Sequence, residues 1–340
     1  MSSEPMSSES ISRERATSRI EAALVAELGP ELLGLLQERR VTNIHANPDG
    51  SVYVRDGEGE HRLDLFLDAE RRAALMSSFA GVMGTVVSAR QPHLAGRLEP
   101  WNVRLEGWVP PVAPSPFFVM RLLPQVRWTL DRLIEVGTID AERAEWLARR
   151  VLGRSNVIIA GAPDSGKTSF AQALLGRCLD AQPSLRLVTI EEGALELQID
   201  GPNVLAMQTV DEEVEPPVTA RTLLRSSLRL NPRKVVIGEA RGPEAYEWLR
   251  SASTGLHGSV LTIHAPSGPG VFDRLADLVA EAGVVPNLRR IVETVDVVVH
   301  LVYDESTAKR RVDAIFEVNG LDAGGVPVLE AISTKATHRK

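Results

Sequence analysis

The sequence has almost no cysteine. Among 340 residues only Cys178 is present, so no intrachain disulfide can form, and a reducing compartment is expected. On a helix after a glycine-rich loop, that cysteine reads as a small buried hydrophobe rather than a reactive thiol. Long apolar runs are missing too. The longest near the C-terminus, residues 295–303 (VDVVVHLVY), is too short to cross a bilayer and is interrupted by Asp296 and His300. The N-terminus, MSSEPMSSESISRERATS, lacks the apolar core of a secretory signal. The expectation is a soluble protein of the cell interior, with any membrane association peripheral. Basic charge is not in excess either: 38 Lys and Arg stand against 45 Asp and Glu, a net charge of −7. No global field draws in DNA or RNA, and sequence-specific nucleic-acid binding is not expected.

What is present is enough apolar residue (44%) for a sizeable core, in a chain long enough for two domains. Residues 1–15 are rich in Ser and Glu and are expected to be disordered. Residues 16–122 read as a small α+β unit. Leu24, Leu28, Leu32 and Leu36 carry helical periodicity that Gly29-Pro30 splits in two, and strands surround turns at Asn47–Gly50 and Asp56-Gly57. The proline-interrupted stretch WNVRLEGWVPPVAPSPFFVMRL suits strands at a sheet edge. Residues 123–140 read as a linker with one short helix. From residue 141 to about 330, helices alternate with apolar strands, which argues for a mostly parallel sheet with crossover helices. Residues 331–340 read as a loose tail.

The chemistry centres on residues 156–170, NVIIAGAPDSGKTSF. Gly161, Gly166, Lys167 and Thr168 fit G-x-x-x-x-G-K-[ST], between an apolar strand and a periodic helix. Such a loop turns successive backbone N–H groups and a helix N-terminus towards one anion. Gly161, Ala162, Pro163, Asp164, Ser165, Gly166, Lys167, Thr168 and Ser169 would form the cradle, with Lys167 on the β- and γ-phosphates of ATP and Thr168 on Mg²⁺. Glu239 ends the strand KVVI and could serve the Mg²⁺–water cluster; the alternative is a solvated strand end. Glu191 ends another strand and could orient the attacking water, or be an ordinary polar terminus. His264 ends a third and could sense the γ-phosphate, or be structural. Arg104 and Arg121 could neutralise transferred phosphate or simply charge a sheet surface, and the residues alone leave that open. Asp164 puts a carboxylate inside the phosphate nest, and Pro163 removes a backbone donor there.

Together, NPDGSVYV, the Pro-Pro after Arg104, the phosphate loop, TIEE, VVIGEARGPEA and TGLHGSVLTIHA, in that order, resemble the secretion-system ATPases of types II and IV. Within them the chain is most similar to the TrbB-type conjugative-transfer ATPases, from about residue 24 to 320. The resemblance implies an α/β fold: a RecA-like P-loop domain behind a smaller α+β N-terminal domain. It also implies a homo-hexameric ring on the cytoplasmic face of the inner membrane, where ATP hydrolysis powers a type IV, conjugation-like secretion machine. By the same resemblance Glu239 is the second-strand acid, Glu191 the acid of the Asp box and His264 the last histidine of the His box. Arg104 and Arg121 fall where N-terminal-domain arginines reach the γ-phosphate. Several positions depart from the pattern: Pro163 and Asp164, Glu192, Leu195, Arg233, and Leu256 with His257 one place late. Two alternatives remain: an ATPase of a type IV or Tad-like pilus or of type II secretion, and a nucleotide-binding ring subunit that hydrolyses little.

Overall fold

The computed structural model describes residues 8–38, 40–56, 59–98, 101–122, 127–192, 195–210, 216–253, 255–304, 307 and 309–333, with side chains from Glu21 onward. The chain divides into two compact units, Met1–Val126 and Arg127–Lys340.

The first unit contains helices α1 (Ser8–Gln37) and α2 (Ala69–Val82) and strands β1 (Asn43–Ala46), β2 (Ser51–Asp56), β3 (Gly59–Phe66), β4 (His93–Leu98), β5 (Val103–Trp108) and β6 (Phe117–Leu122). The strands form one antiparallel sheet in the order β3-β2-β1-β6-β5-β4. Leu24, Leu28 and Leu32 of α1 and Leu75 and Phe79 of α2 bury against Ile44, Val54, Leu105 and Phe118 of the strands. The opposite face of the sheet is mixed: Arg55, Arg104, Glu106 and Arg121 share it with Tyr53, Trp108, Phe117 and Val119. As the sequence implies, α1 breaks at Gly29, whose φ of 68° precedes Pro30. The helix already begins at Ser8, inside the stretch expected to lack order, where Arg, Glu and Ala favour helix and no Gly or Pro interrupts. Residues 1–7 and the turn position Gly57 lie outside the described residues. β5 and β6, expected at a sheet edge, lie inside it: Pro110, Pro111, Pro114 and Pro116 all fall in the connection, leaving each strand its full set of N–H donors.

The second unit starts with α3 (Leu130–Glu135) and α4 (Ala141–Leu152), followed by β7 (Val157–Gly161), α5 (Lys167–Ala181), β8 (Leu187–Glu191), β9 (Val204–Gln208) and α6 (Ala220–Ser227). Then come β10 (Lys234–Ala240), α7 (Glu244–Ser253), β11 (Val260–Ile263), α8 (Gly270–Glu281), α9 (Leu288–Thr294), β12 (Val297–Asp304), β13 (Lys309–Leu321) and β14 (Pro327–Ala331). The eight strands run β14-β13-β12-β7-β11-β10-β8-β9. From β12 to β9 every neighbouring pair is parallel, while β13 and β14 add antiparallel strands at one edge. Helices cover both faces, so β7 is apolar throughout: Val157 and Ile159 pack with α3, α4 and α5, and Ile158 and Ala160 with α6 to α9. Leu130 and Leu133 of α3, in the stretch read as linker, are part of that first core.

Candidate functional site

The phosphate loop leaves the carboxyl end of β7, an interior strand of the parallel part of the sheet, where ligands of such sheets gather. Two of its glycines are dictated by geometry. A Cβ on Gly161 would stand 2.3 Å from the Leu301 carbonyl oxygen and 2.6 Å from Ser165 Oγ, and Gly166 holds the left-handed φ of 90° from which α5 starts. Asp164 takes a φ of 59°, which Asp tolerates better than most residues and Gly adopts freely. The first helical bond of α5 runs from the Phe170 N–H to the Gly166 carbonyl, 2.9 Å. The N–H groups of Lys167, Thr168 and Ser169 therefore precede the helical ladder and face outward, as in any helix N-terminus.

Lys167 is 7% exposed. Its ammonium donates to the carbonyls of Gly161 (3.1 Å) and Ala162 (2.8 Å) and to His264 Nδ1 (3.2 Å). Because Nδ1 accepts from an ammonium, the ring proton belongs on Nε2, where His264 meets Glu239 Oε1. The other oxygen of Glu239 takes a 2.7 Å bond from Arg241, which also lies 3.7 Å from Glu192. Burial lowers the Lys167 pKa and the Glu239 and Asp164 charges oppose it, leaving it below the ordinary lysine value. Burial pulls Glu239 the other way, but the Arg241 bond and the positive charges of Arg241 and Lys167 keep it below its ordinary carboxylate value. A register shift in the β10–β11 pairing between Ile237 and Ala240 turns the Gly238-Glu239 peptide out of line, with Thr262 Oγ1 bonding the Gly238 carbonyl.

Residues 97–331 match the family described as Type II/IV secretion system protein, which spans this site and more than half the chain. The chain belongs to that family. It is 32% identical over 305 residues to a probable conjugal transfer protein TrbB of Sinorhizobium fredii, covering 89% of this chain and 91% of that protein. It is 36% identical over 300 residues to the type IV secretion system protein VirB11 of Brucella suis, covering 78% and 82%. The fold is also that of the Legionella pneumophila ATPase DotB, with a TM-score of 0.56 at 17% identity over 92% of this chain and 81% of the other.

In this type II/IV secretion family member the structure brings Lys167, His264 and Glu239 together, Lys167 hydrogen-bonded to His264 and His264 in close contact with Glu239. Glu191 lies apart from it. Only 4% exposed, it accepts the backbone N–H groups of Glu196 (2.7 Å) and Leu197 (2.8 Å) through Oε2, and a Cβ on Gly238 would stand 2.8 Å from its Cγ. Thr168, half-buried, sits one residue into α5. Arg104 and Arg121 belong to the first unit, where they stand directly opposite each other on β5 and β6. Arg97 on β4 is the next residue in that row, opposite Arg104. Arg97 is missing from the sequence reading because no strand is expected in HLAGRL. Arg241 is missing too, although its place two residues after Glu239 is a local signal. Arg310 is a further omission: its Nε donates to the Asp164 carbonyl, 2.8 Å, across 146 residues of sequence, and nothing local points to it.

Proposed function

We propose that the chain is the ATP-binding and ATP-hydrolysing motor subunit of a type IV, conjugation-like secretion machine, working as a ring of six on the cytoplasmic face of the inner membrane. The observation that carries this reading is the cluster of Lys167, His264 and Glu239 beside a phosphate loop with left-handed Asp164 and Gly166. Membership of the family, and relatives named for conjugal transfer and type IV secretion, support the choice of machine. Among the described residues no helix is long and apolar enough to cross a membrane, which is compatible with peripheral attachment.

In this reading an incoming phosphate takes the place of the Gly161 and Ala162 carbonyls on the Lys167 ammonium, exchanging neutral acceptors for charged ones. The N–H groups from Ser165 to Ser169 cradle the remaining phosphate oxygens. His264, bonded to Lys167 on one side and facing Glu239 on the other, passes the arrival of the γ-phosphate to Glu239. Glu191, fixed by two backbone N–H groups, orients the attacking water, and Arg104 and Arg121 supply positive charge to the γ-phosphate. The donors available for Mg²⁺ are the Thr168 hydroxyl and the Glu239 carboxylate, both oxygen and hence suited to a hard cation. When bound, the ion neutralises charge between the β- and γ-phosphates.

Lys167→Ala tests the reading: ATP-dependent phosphate release by the full chain falls to background. If wild type binds ATP yet releases phosphate no faster than Lys167→Ala, the motor reading fails. A second reading then takes its place, a ring subunit that binds nucleotide and hydrolyses little. Two observations favour it: Asp164 lies within the nest, and Glu239 is already held by a hydrogen bond from Arg241 to one of its oxygens.

A further inference from the structure

The sheet order is asymmetric about the phosphate loop. On one side of β7 lie β11, β10 and β8, which bring His264, Glu239 and Glu191; on the other lie β12 and β13, which bring none of these. A triphosphate with its γ end at His264 and Glu239 directs its nucleoside away from them, towards the β12–β13 hairpin. Two side chains stand there. Tyr303 and Arg310 are direct partners in the β12–β13 register, and the guanidinium carbon of Arg310 lies 5.3 Å from the centre of the Tyr303 ring. On the same face, the partners Leu301 and Val312 are buried in the core beneath α5. The 303–310 pair continues that face past the core and out beside the loop, where both residues are exposed.

Arg310 is also fixed to the loop itself. Its Nε donates to the Asp164 carbonyl, and its Cδ lies where a Cβ on Gly166 would come within 2.9 Å. One edge of the guanidinium is thus tied down and one face rests over an aromatic ring, a geometry that holds the plane still. A held guanidinium plane is a stacking surface for a nucleobase.

We propose that Arg310, backed by Tyr303, is the nucleoside-end residue of this site and stacks on the base of the bound nucleotide. This rests on the nucleotide-binding reading above and adds which element meets the base. Stacking of this kind reads a π-face rather than a hydrogen-bonding edge, so it secures the base while discriminating little between adenine and guanine.

Binding of ADP, GDP and inorganic pyrophosphate to the full chain, measured by calorimetry on wild type, Arg310→Ala, Arg310→Lys and Tyr303→Leu, tests it. Arg310→Ala weakens ADP and GDP on the order of tenfold, and Tyr303→Leu weakens both less, by loosening the plane. Pyrophosphate affinity stays within about twofold of wild type in both variants, since the loop still meets it. Arg310→Lys keeps the charge without the plane and does not restore ADP binding. Unchanged ADP affinity in Arg310→Ala and Tyr303→Leu overturns the proposal. So does equal weakening of ADP and pyrophosphate, which makes Arg310 only a staple for the loop. Wild type that binds neither ADP nor pyrophosphate removes the underlying nucleotide reading, a result distinct from either.

Discussion

Lys167 and Lys234 bury the same group at opposite edges of one parallel sheet. Each ammonium donates to two backbone carbonyls: Gly161 and Ala162 for Lys167, Gly153 (2.8 Å) and Gly258 (3.3 Å) for Lys234. Burial lowers both pKa values. The neighbours differ. Around Lys167 stand Glu239, Asp164 and the His264 ring, so its charge is wanted and an anion is expected. Around Lys234 stand the Cys178 thiol and Arg233, and its pKa falls to about 8. A buried lysine on glycine carbonyls is therefore not in itself a nucleotide site. What sets the carboxyl edge apart, and supports the proposed reading of it, is the acid–imidazole pair beside the lysine and the outward N–H groups of the loop. At the amino edge the same bonding only ties the end of α4 to the turn before β11.

The largest effect expected comes from a third buried cation, Arg72 in the first unit, which carries the comparison to a side chain that cannot give up its charge. Arg72 is 2% exposed and, among the described residues, no carboxylate is bonded to it; it donates to the carbonyls of Pro116 (2.6 Å), Leu67 and Pro48 (2.7 Å) and to Ser115 Oγ (2.6 Å). A planar fork of five donors can satisfy four oxygens where an ammonium has only three protons. Arg72→Met leaves those acceptors bare and is expected to cost about 4 kcal/mol, with Arg72→Lys recovering only part. Urea unfolding of both variants measures this, and an unchanged midpoint would show that water replaces the guanidinium at no cost.

Next in size is the pH dependence at Lys234. Its pKa is about 8 in the folded chain against 10.5 when free, so its contribution to stability is present above 10.5 and is lost as pH falls through about 8. The full swing is about 3 kcal/mol for that difference. Cys178, pushed by burial from 9.0 to about 11, has the opposite sign: its contribution is present below 9.0 and lost as pH rises through about 11. Wild type should therefore gain stability between roughly pH 8 and 9, then level off as the thiol offsets the lysine. Lys234→Met should lose the rise, and Cys178→Ala should prolong it. A wild-type stability curve that is flat from pH 7 to 9 would contradict the assignment.

How much of this is legible in the sequence follows from distance along the chain. The phosphate loop is local: strand, glycines, lysine and helix occupy residues 156–170, and each glycine answers a contact that the structure shows. Glu239 and His264 are legible as strand ends, but not as partners, because only the adjacency of β10 and β11 brings them together. β4 and β14 escape notice because their segments, HLAGRL and PVLEA, carry a Gly or an opening Pro and show weak alternation of burial. Arg310 reaches the loop from 146 residues away through a strand pairing that no motif announces. The amino edge is invisible for a different reason. Lys234 reads as one more charge before an apolar strand, and its burial depends on Gly258, where a Cβ would stand 2.6 Å from the ammonium.

The smallest effect sharpens the comparison at the loop itself, since Asp164 is the acid that the amino edge lacks. It helps keep Lys167 charged, yet it also opposes an incoming phosphate from within the nest. At a φ of 59°, glycine removes both the backbone cost and the carboxylate, while adding chain entropy to the unbound loop of roughly 0.5–1 kcal/mol. The Arg310 bond survives the change because it goes to the main-chain carbonyl. Asp164→Gly should therefore tighten ATP by a few-fold, or about 1 kcal/mol, and the gain should shrink at high salt because most of it is charge repulsion removed. Calorimetry at low and high ionic strength measures both effects. Affinity that stays level or weakens would mean that the acid's service to Lys167 outweighs its repulsion of phosphate, and that the site is built to hold its nucleotide loosely.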